Sequence, residues 1–293
     1  MRLFLLPIST RRTLIYCERP KPLPGASQSI VDKAILSAED TWTSWEKADK
    51  GWKKTVTGWG NVILRRIPFE EWGLKTVPAL SNAQLEAFKS GQKPDLVEVH
   101  FPGEFLHQAR APAVFEAIAT ERQGLHRQRM IGSMIAAPLT LPFALIPIIP
   151  NFPGLYMVFR AYSHWRAWRG SQHLEWIVNN KLVSYKPSRI LDELYASGLK
   201  FPSRKAVDAA ASPTAEECKE VAEDTLNQPT NAGKEIMLLK NWSGNMIAQG
   251  LKLPDMQIEI ERAVEQVEAK LAKDQQAAPT DPSTSEKSKD KLS

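Results

Sequence analysis

Residues 130–159 run for thirty amino acids without a charge. Eighteen or more such residues is the length at which a membrane segment is suspected, and a core helix seldom goes that far without a polar face. Within the run, APLTLPFALIPIIPNFPG (137–154) holds five prolines, Pro138, Pro142, Pro147, Pro150 and Pro153, and is otherwise apolar apart from Thr140 and Asn151. Proline removes a backbone donor and crowds the preceding turn, so an isolated helix in water is broken by this spacing. Membrane helices tolerate it where neighbours satisfy the freed carbonyls. Two full crossings need about forty apolar residues, more than are present. The IPNFPG stretch, with Asn151 and Gly154 beside its prolines, has the makings of a turn. We therefore expect a short hairpin that enters a bilayer and returns, both ends on one face. A buried core hairpin is the competing reading.

The flanks support the same placement. Arg110, Arg122, Arg127 and Arg129 precede the run, and Arg160, Arg166 and Arg169 follow it. That near balance gives no asymmetry of the kind that orients a single crossing. Residues 1–129 hold nineteen Lys/Arg against fourteen Asp/Glu, residues 160–205 nine against three, and residues 206–293 ten against sixteen. A basic collar around an apolar segment suits an anionic membrane surface. Nucleic acid is the other common partner of basic protein, but no recognisable binding signature accompanies the charge, and none is expected as a partner. After the run, Tyr156, Arg160, His164 and Trp168 recur every fourth residue and so share one helix face, flanked by Trp165, Arg166 and Arg169. This is the make-up of an interfacial belt. Arg160 and His164 could instead form a polar ion or proton contact, since histidine titrates near neutrality.

The first seventeen residues, MRLFLLPISTRRTLIYC, carry three arginines and no acid, which fits either a mitochondrial targeting segment or a strand. Beyond the proline-rich 19–25, apolar residues spaced by threes and fours place Trp42, Trp45, Trp52 and Trp59 along one stripe, with Lys47, Lys50, Lys53 and Lys54 mostly off it. Such a stripe packs on another helix or lies in a membrane interface; Gly51, Gly58 and Gly60 weaken its second half. SNAQLEAFKSG predicts a short capped helix, LVEVHF a brief strand, and APAVFEAIATERQGLHRQR a helix continuing into the apolar run. PSRILDELYAS, EECKEVAEDTL, GKEIMLLKNWSGNMIAQG and PDMQIEIERAVEQVEAKLAKDQQ read as further helices. In the last, Met256, Ile260, Val264, Val267 and Leu271 form a narrow pairing seam, internal or intermolecular.

The expected fold is mainly α: a helical membrane-associated protein with one proline-rich apolar hairpin, a Trp-striped amphipathic helix and C-terminal helices. Its divisions are 1–25 (basic segment, targeting or strand), 26–129 (helical, with the Trp stripe), 130–159 (apolar segment), 160–202 (aromatic and basic interfacial helices), 203–276 (acidic helices) and 277–293 (a tail with almost nothing to bury).

No glycine-rich phosphate loop, GxSxG or HExxH occurs, and His100 and His107 stand seven apart, a spacing that does not bring two ligands together. Cys17 and Cys218 fit neither a metal nor a disulfide pattern. An enzyme, a metal and a cofactor are therefore not expected. From Arg122 to Leu174 there is no Asp or Glu, whereas intramembrane carboxylates commonly carry the cation and proton in coupled transport. The apolar segment alone is a poor carrier.

MRLFLLPISTRRTLIYC together with IIPNFPGLYMVFRAYSHWRAWRGSQHL resembles the fungal mitochondrial K+–H+ exchange-related family over roughly residues 1–200, with Pro150 to Gly170 the more specific block. The resemblance implies a protein of the inner mitochondrial membrane that supports potassium–proton exchange within a larger assembly. Its partners would be membrane lipids and other subunits, with potassium and protons met indirectly. A membrane-tethered scaffold is the alternative.

Overall fold

β1 (Arg2–Pro7) and β2 (Thr13–Cys17) are the strands of an antiparallel hairpin in which Leu5 faces Ile15. The opening residues thus fold as strands, the second of the two expectations for them. Side chains alternate across a strand, and here both faces are covered. Leu3, Leu5, Ile15 and Cys17 enter one apolar cluster; Phe4, Leu6, Leu14 and Tyr16 enter another. The structure, a computed structural model, describes residues 1–18, 50–92, 94–140, 152–227 and 234–277, together with 37, 41, 44, 45, 47 and 142.

The sheet continues through β3 (Val97–Phe101), parallel to β1, and β4 (Val183–Pro187), parallel to β3, in the order β2-β1-β3-β4. The predicted strand at LVEVHF is β3. β4 corrects the reading of 160–202 as helices only: Val183 and Tyr185 pack on the cluster of Leu3 and Leu5, and Lys186 pairs with Glu98 of β3 on the opposite face.

Helices supply most of the rest. In order they are α1 (Trp52–Arg65), α2 (Phe69–Thr76), α3 (Asn82–Lys89), α4 (Ala111–Thr120), α5 (Gln123–Leu139), α6 (Phe152–Asn179), α7 (Arg189–Lys200), α8 (Arg204–Asp208), α9 (Ala215–Leu226), α10 (Ser243–Gly250) and α11 (Met256–Ala277). Two begin with reciprocal capping boxes, Ser81 with Gln84 on α3 and Thr214 with Glu217 on α9, which satisfy otherwise orphaned N–H groups. Two expected helices are corrected. The helix expected to run unbroken from 112 into the apolar run divides at Arg122, where ψ is 2° and the guanidinium binds Glu70 at 2.7 Å. The helix expected from Gly233 to Gly250 starts at Ser243. Before it, Thr10 donates to Ile236 and Leu238 to Ile8, each at 2.9 Å, so the β1–β2 turn satisfies that backbone instead.

α5 and α6 form a helical hairpin. Gln123 bonds Glu175 and His126 meets His164, so the chain runs out along α5 and returns along α6. Pro138 lies in the last turn of α5 and is exposed, as is Pro142; Pro153 is exposed in the first turn of α6, beside the buried Gly154. Pro147, Pro150 and Asn151 lie outside the described residues. Beyond the base of the hairpin, Ile131, Met134, Ile135, Leu139, Leu155 and Val158 are exposed, Leu139 to 74%. Among the described residues no helix is long and apolar enough to cross a membrane, so the membrane placement is not shown.

The α11 seam is internal. Met256, Ile260, Val264 and Val267 are almost wholly buried against the hairpin face of Phe4 and Leu6, with Leu271 at its edge.

Candidate functional site

The hairpin base holds the densest buried polar cluster among the described residues, and α2 brings its central member. Glu71 sits in the first turn of α2, the helix end whose dipole favours a negative charge. Two glycines fix that short helix. A Cβ on Gly73 would meet the Ile15 carbonyl oxygen at 2.5 Å, and one on Gly170 would meet that of Leu74 at 2.3 Å. Their absence lets α2 wedge between β2 and α6. From the far side Gln266 of α11 accepts from the Phe69 N–H at 2.9 Å and donates to the carbonyls of Arg65 and Ile67.

In this setting Glu71 is 1% exposed. Arg160 donates to it twice, Nη1 to Oε1 at 2.8 Å and Nη2 to Oε2 at 3.0 Å, and the Ser163 hydroxyl donates to Oε1 at 2.6 Å. Burial alone would raise this carboxyl; the guanidinium and hydroxyl override it and hold it below the usual range.

Arg160 Nη2 also lies 2.8 Å from His164 Nε2. A guanidinium only donates, so that nitrogen accepts and the His164 proton sits on Nδ1. Nδ1 then donates to His126 Nδ1 at 3.2 Å. The His126 proton is left on Nε2, a buried atom with no hydrogen-bond partner among the described residues. Burial pushes both imidazoles down to about 4, outweighing the attraction of Glu71. Both are therefore neutral at pH 7. The Oε2–Nδ1 separation between Glu71 and His164 is 3.6 Å, and one ligand atom each of Glu71, His126 and His164 lies within 4.8 Å of the other two.

The arrangement joins two residues that the sequence suggested and omits the rest. Arg160 and His164 do meet in a polar contact. Tyr156 is half-buried one turn nearer the apolar end, and Trp165 is exposed beside Tyr162. Arg166 reaches the Lys75 carbonyl at 3.4 Å, Arg169 bonds Gln172, and Trp168 is half-buried. In the Trp stripe, Trp45 is half-buried; Trp42 and the side chains of Trp52 and Trp59 lie outside the described residues. Glu71, His126 and Ser163 escaped the sequence reading. The missing carboxylate comes from a helix remote in sequence, and no local spacing links FEEW to the hairpin.

Residues 2–178, which include every member of this cluster, match the family described as mitochondrial K+–H+ exchange-related. The chain is similar to an uncharacterised protein of Schizosaccharomyces pombe, 30% identical over 196 residues, covering 66% of this chain and 82% of the relative. It is also similar to an uncharacterised protein of Saccharomyces cerevisiae, 26% identical over 225 residues, covering 68% and 69% respectively. No solved structure matches.

Proposed function

The chain belongs to the mitochondrial K+–H+ exchange-related family, and from that membership we propose that it supports potassium–proton exchange at the inner membrane as an accessory component of a larger assembly rather than as the carrier. The observation that carries this reading is the exposed apolar surface of the α5–α6 hairpin. Contiguous apolar surface of this kind marks a lipid or protein contact. From His126 to Leu139 the α5 arm extends about 20 Å at the rise of an α-helix, shorter than a hydrocarbon core of about 30 Å. That length suits dipping into one leaflet.

The accessory role rests on the carboxylate. Glu71 is the acid buried against the hairpin at Arg160 and Ser163, and both its oxygens accept from Arg160, with Ser163 on one of them. The guanidinium already neutralises this carboxylate, and the remaining donors beside it are imidazole nitrogens, which suit a transition metal better than potassium. The adaptor alternative loses its main support because the α11 seam is occupied within the chain's own core.

Reconstitution tests the reading. Purified protein alone in liposomes should give no potassium-driven proton flux by a trapped pH dye, while the complex isolated with it in mild detergent should. Flux from the protein alone would overturn the accessory role, and a silent native complex would overturn the link to exchange.

A further inference from the structure

We propose that Glu71, His126 and His164 form a binding site for a late first-row divalent cation, zinc being the best match. The inference stands apart from the lipid reading of the hairpin and survives if that reading fails.

Two neutral imidazoles and a carboxylate converging on one point are the donor set of three-ligand zinc sites, which leave a fourth position open. With zinc–nitrogen bonds of 2.0–2.1 Å, the edges of a tetrahedron measure about 3.3 Å. The His126–His164 separation of 3.2 Å and the His164–Glu71 separation of 3.6 Å bracket that value. Metal ligands must be free of protons at the atom that binds. His126 already holds its proton on Nε2, so its Nδ1 lone pair is in the ligating tautomer.

One rearrangement is required, and Arg160 controls it. The proton on His164 Nδ1 must leave that atom for Nε2, which means that the Arg160 Nη2 contact at that nitrogen has to open. The guanidinium keeps its bonds to Glu71 and thereby orients the carboxylate from behind, as outer-shell partners do. All three ligands are buried, so loading needs a local opening and should be slow. A nitrogen-rich site also selects against potassium and magnesium, which prefer oxygen ligands. Any zinc held here would be distinct from the potassium of the family's description.

The full-length protein, stripped with chelator and incubated for hours with one equivalent of Co2+ at pH 7.5, should develop intense tetrahedral ligand-field bands. One equivalent of Zn2+ should bleach them. His126→Asn and His164→Asn should each weaken zinc binding by roughly a hundredfold or more in chelator competition, the scale on which even outer-shell losses reach the lower end. X-ray absorption on the wild-type zinc form, which needs no variant to fold, should show two imidazoles near 2.0 Å, as zinc–histidine bonds require. Weak octahedral cobalt bands, undiminished binding by the double variant His126→Asn/His164→Asn, or fewer than two imidazoles in the absorption spectrum would each overturn the assignment.

Discussion

Two buried carboxyls in this molecule respond to burial in opposite ways, and the difference lies in what each one faces. Glu71 accepts two bonds from a guanidinium and one from a hydroxyl, and ionises more readily than usual. Removing one partner of such a buried pair is costly because the other charge is left uncompensated. Asp192, on α7, is 8% exposed and is met by backbone N–H groups rather than a guanidinium: its Oδ1 accepts from the Glu104 N–H at 3.0 Å. Burial pushes its carboxyl up to about 6, with the Glu104 charge adding to the rise and the backbone N–H groups opposing it. The folded state therefore holds this proton more tightly than the unfolded chain. Between about pH 4 and 6 the folded state binds more protons, and the contribution of Asp192 to stability falls as pH rises. Above pH 6 the penalty is complete. Asp192→Asn keeps a carbonyl acceptor for Glu104 but cannot ionise. It should leave stability nearly unchanged near pH 4 and raise it at pH 7.5 by on the order of 3 kcal/mol. Urea titrations of both proteins at several pH values check this, and a constant difference between them across the range would refute it.

Elements in this fold are held by close approach as much as by apolar area. α2 has only eight residues, too few to be stable as an isolated helix, and exists because β2 and α6 press on it from either side. Gly170 is the contact that allows this, since its added Cβ would meet a backbone carbonyl that cannot rotate away. Gly170→Ala should cost on the order of 3 kcal/mol, the upper end of ordinary overpacking. Gly132→Ala, in exposed α5 with nothing within 4 Å of a new Cβ, should be neutral or stabilise by up to about 1 kcal/mol through helix propensity. Equal unfolding free energies for the two variants would mean that α2 is not seated through Gly170. Legibility in the sequence follows the same physics. α3 was readable because its cap is local chemistry, and β3 because its faces are unequally covered, with half-buried Glu98 and His100 alternating with buried Val97, Val99 and Phe101. β1 was ambiguous for the opposite reason: a strand buried on both faces reads as a continuous apolar run, which a targeting segment also resembles. Arg160 and His164 could be picked out because they share a helix face. Glu71 and His126 could not, because their meeting depends on how three helices pack.

At the scale of the whole molecule, the charge split suggested an acidic third attached to a basic body, yet the packing divides the chain differently. The β1–β2 hairpin lies between two apolar clusters. One is built with α2, α4 and α6; the other draws on α7, α9, α10 and α11. The acidic residues of the C-terminal third lie mostly on outward faces, while Cys218, Ala222, Ile247, Ile260 and Val264 point inward. α11 also reaches the wedge helix directly, for Arg262, paired with Glu259 at 2.5 Å, stacks 4.3 Å from the Trp72 ring, opposite in sequence terms to the Lys75 amine 3.5 Å from the same ring. The family match ends at residue 178, but the fold does not. A chain ending at Phe201 would retain the whole candidate site and expose Phe4, Leu6, Leu14 and Tyr16 to water. Burying four such side chains is worth roughly 1.5–3 kcal/mol each, comparable with the entire net stability of a typical domain. The truncated protein should therefore lose its cooperative thermal transition and bind a hydrophobic dye, with its helix signal only partly reduced. Calorimetry and dye fluorescence on both lengths measure this. A cooperative transition within a few degrees of the full chain's would show that the N-terminal two thirds is a domain in its own right, and that the C-terminal helices merely rest on it.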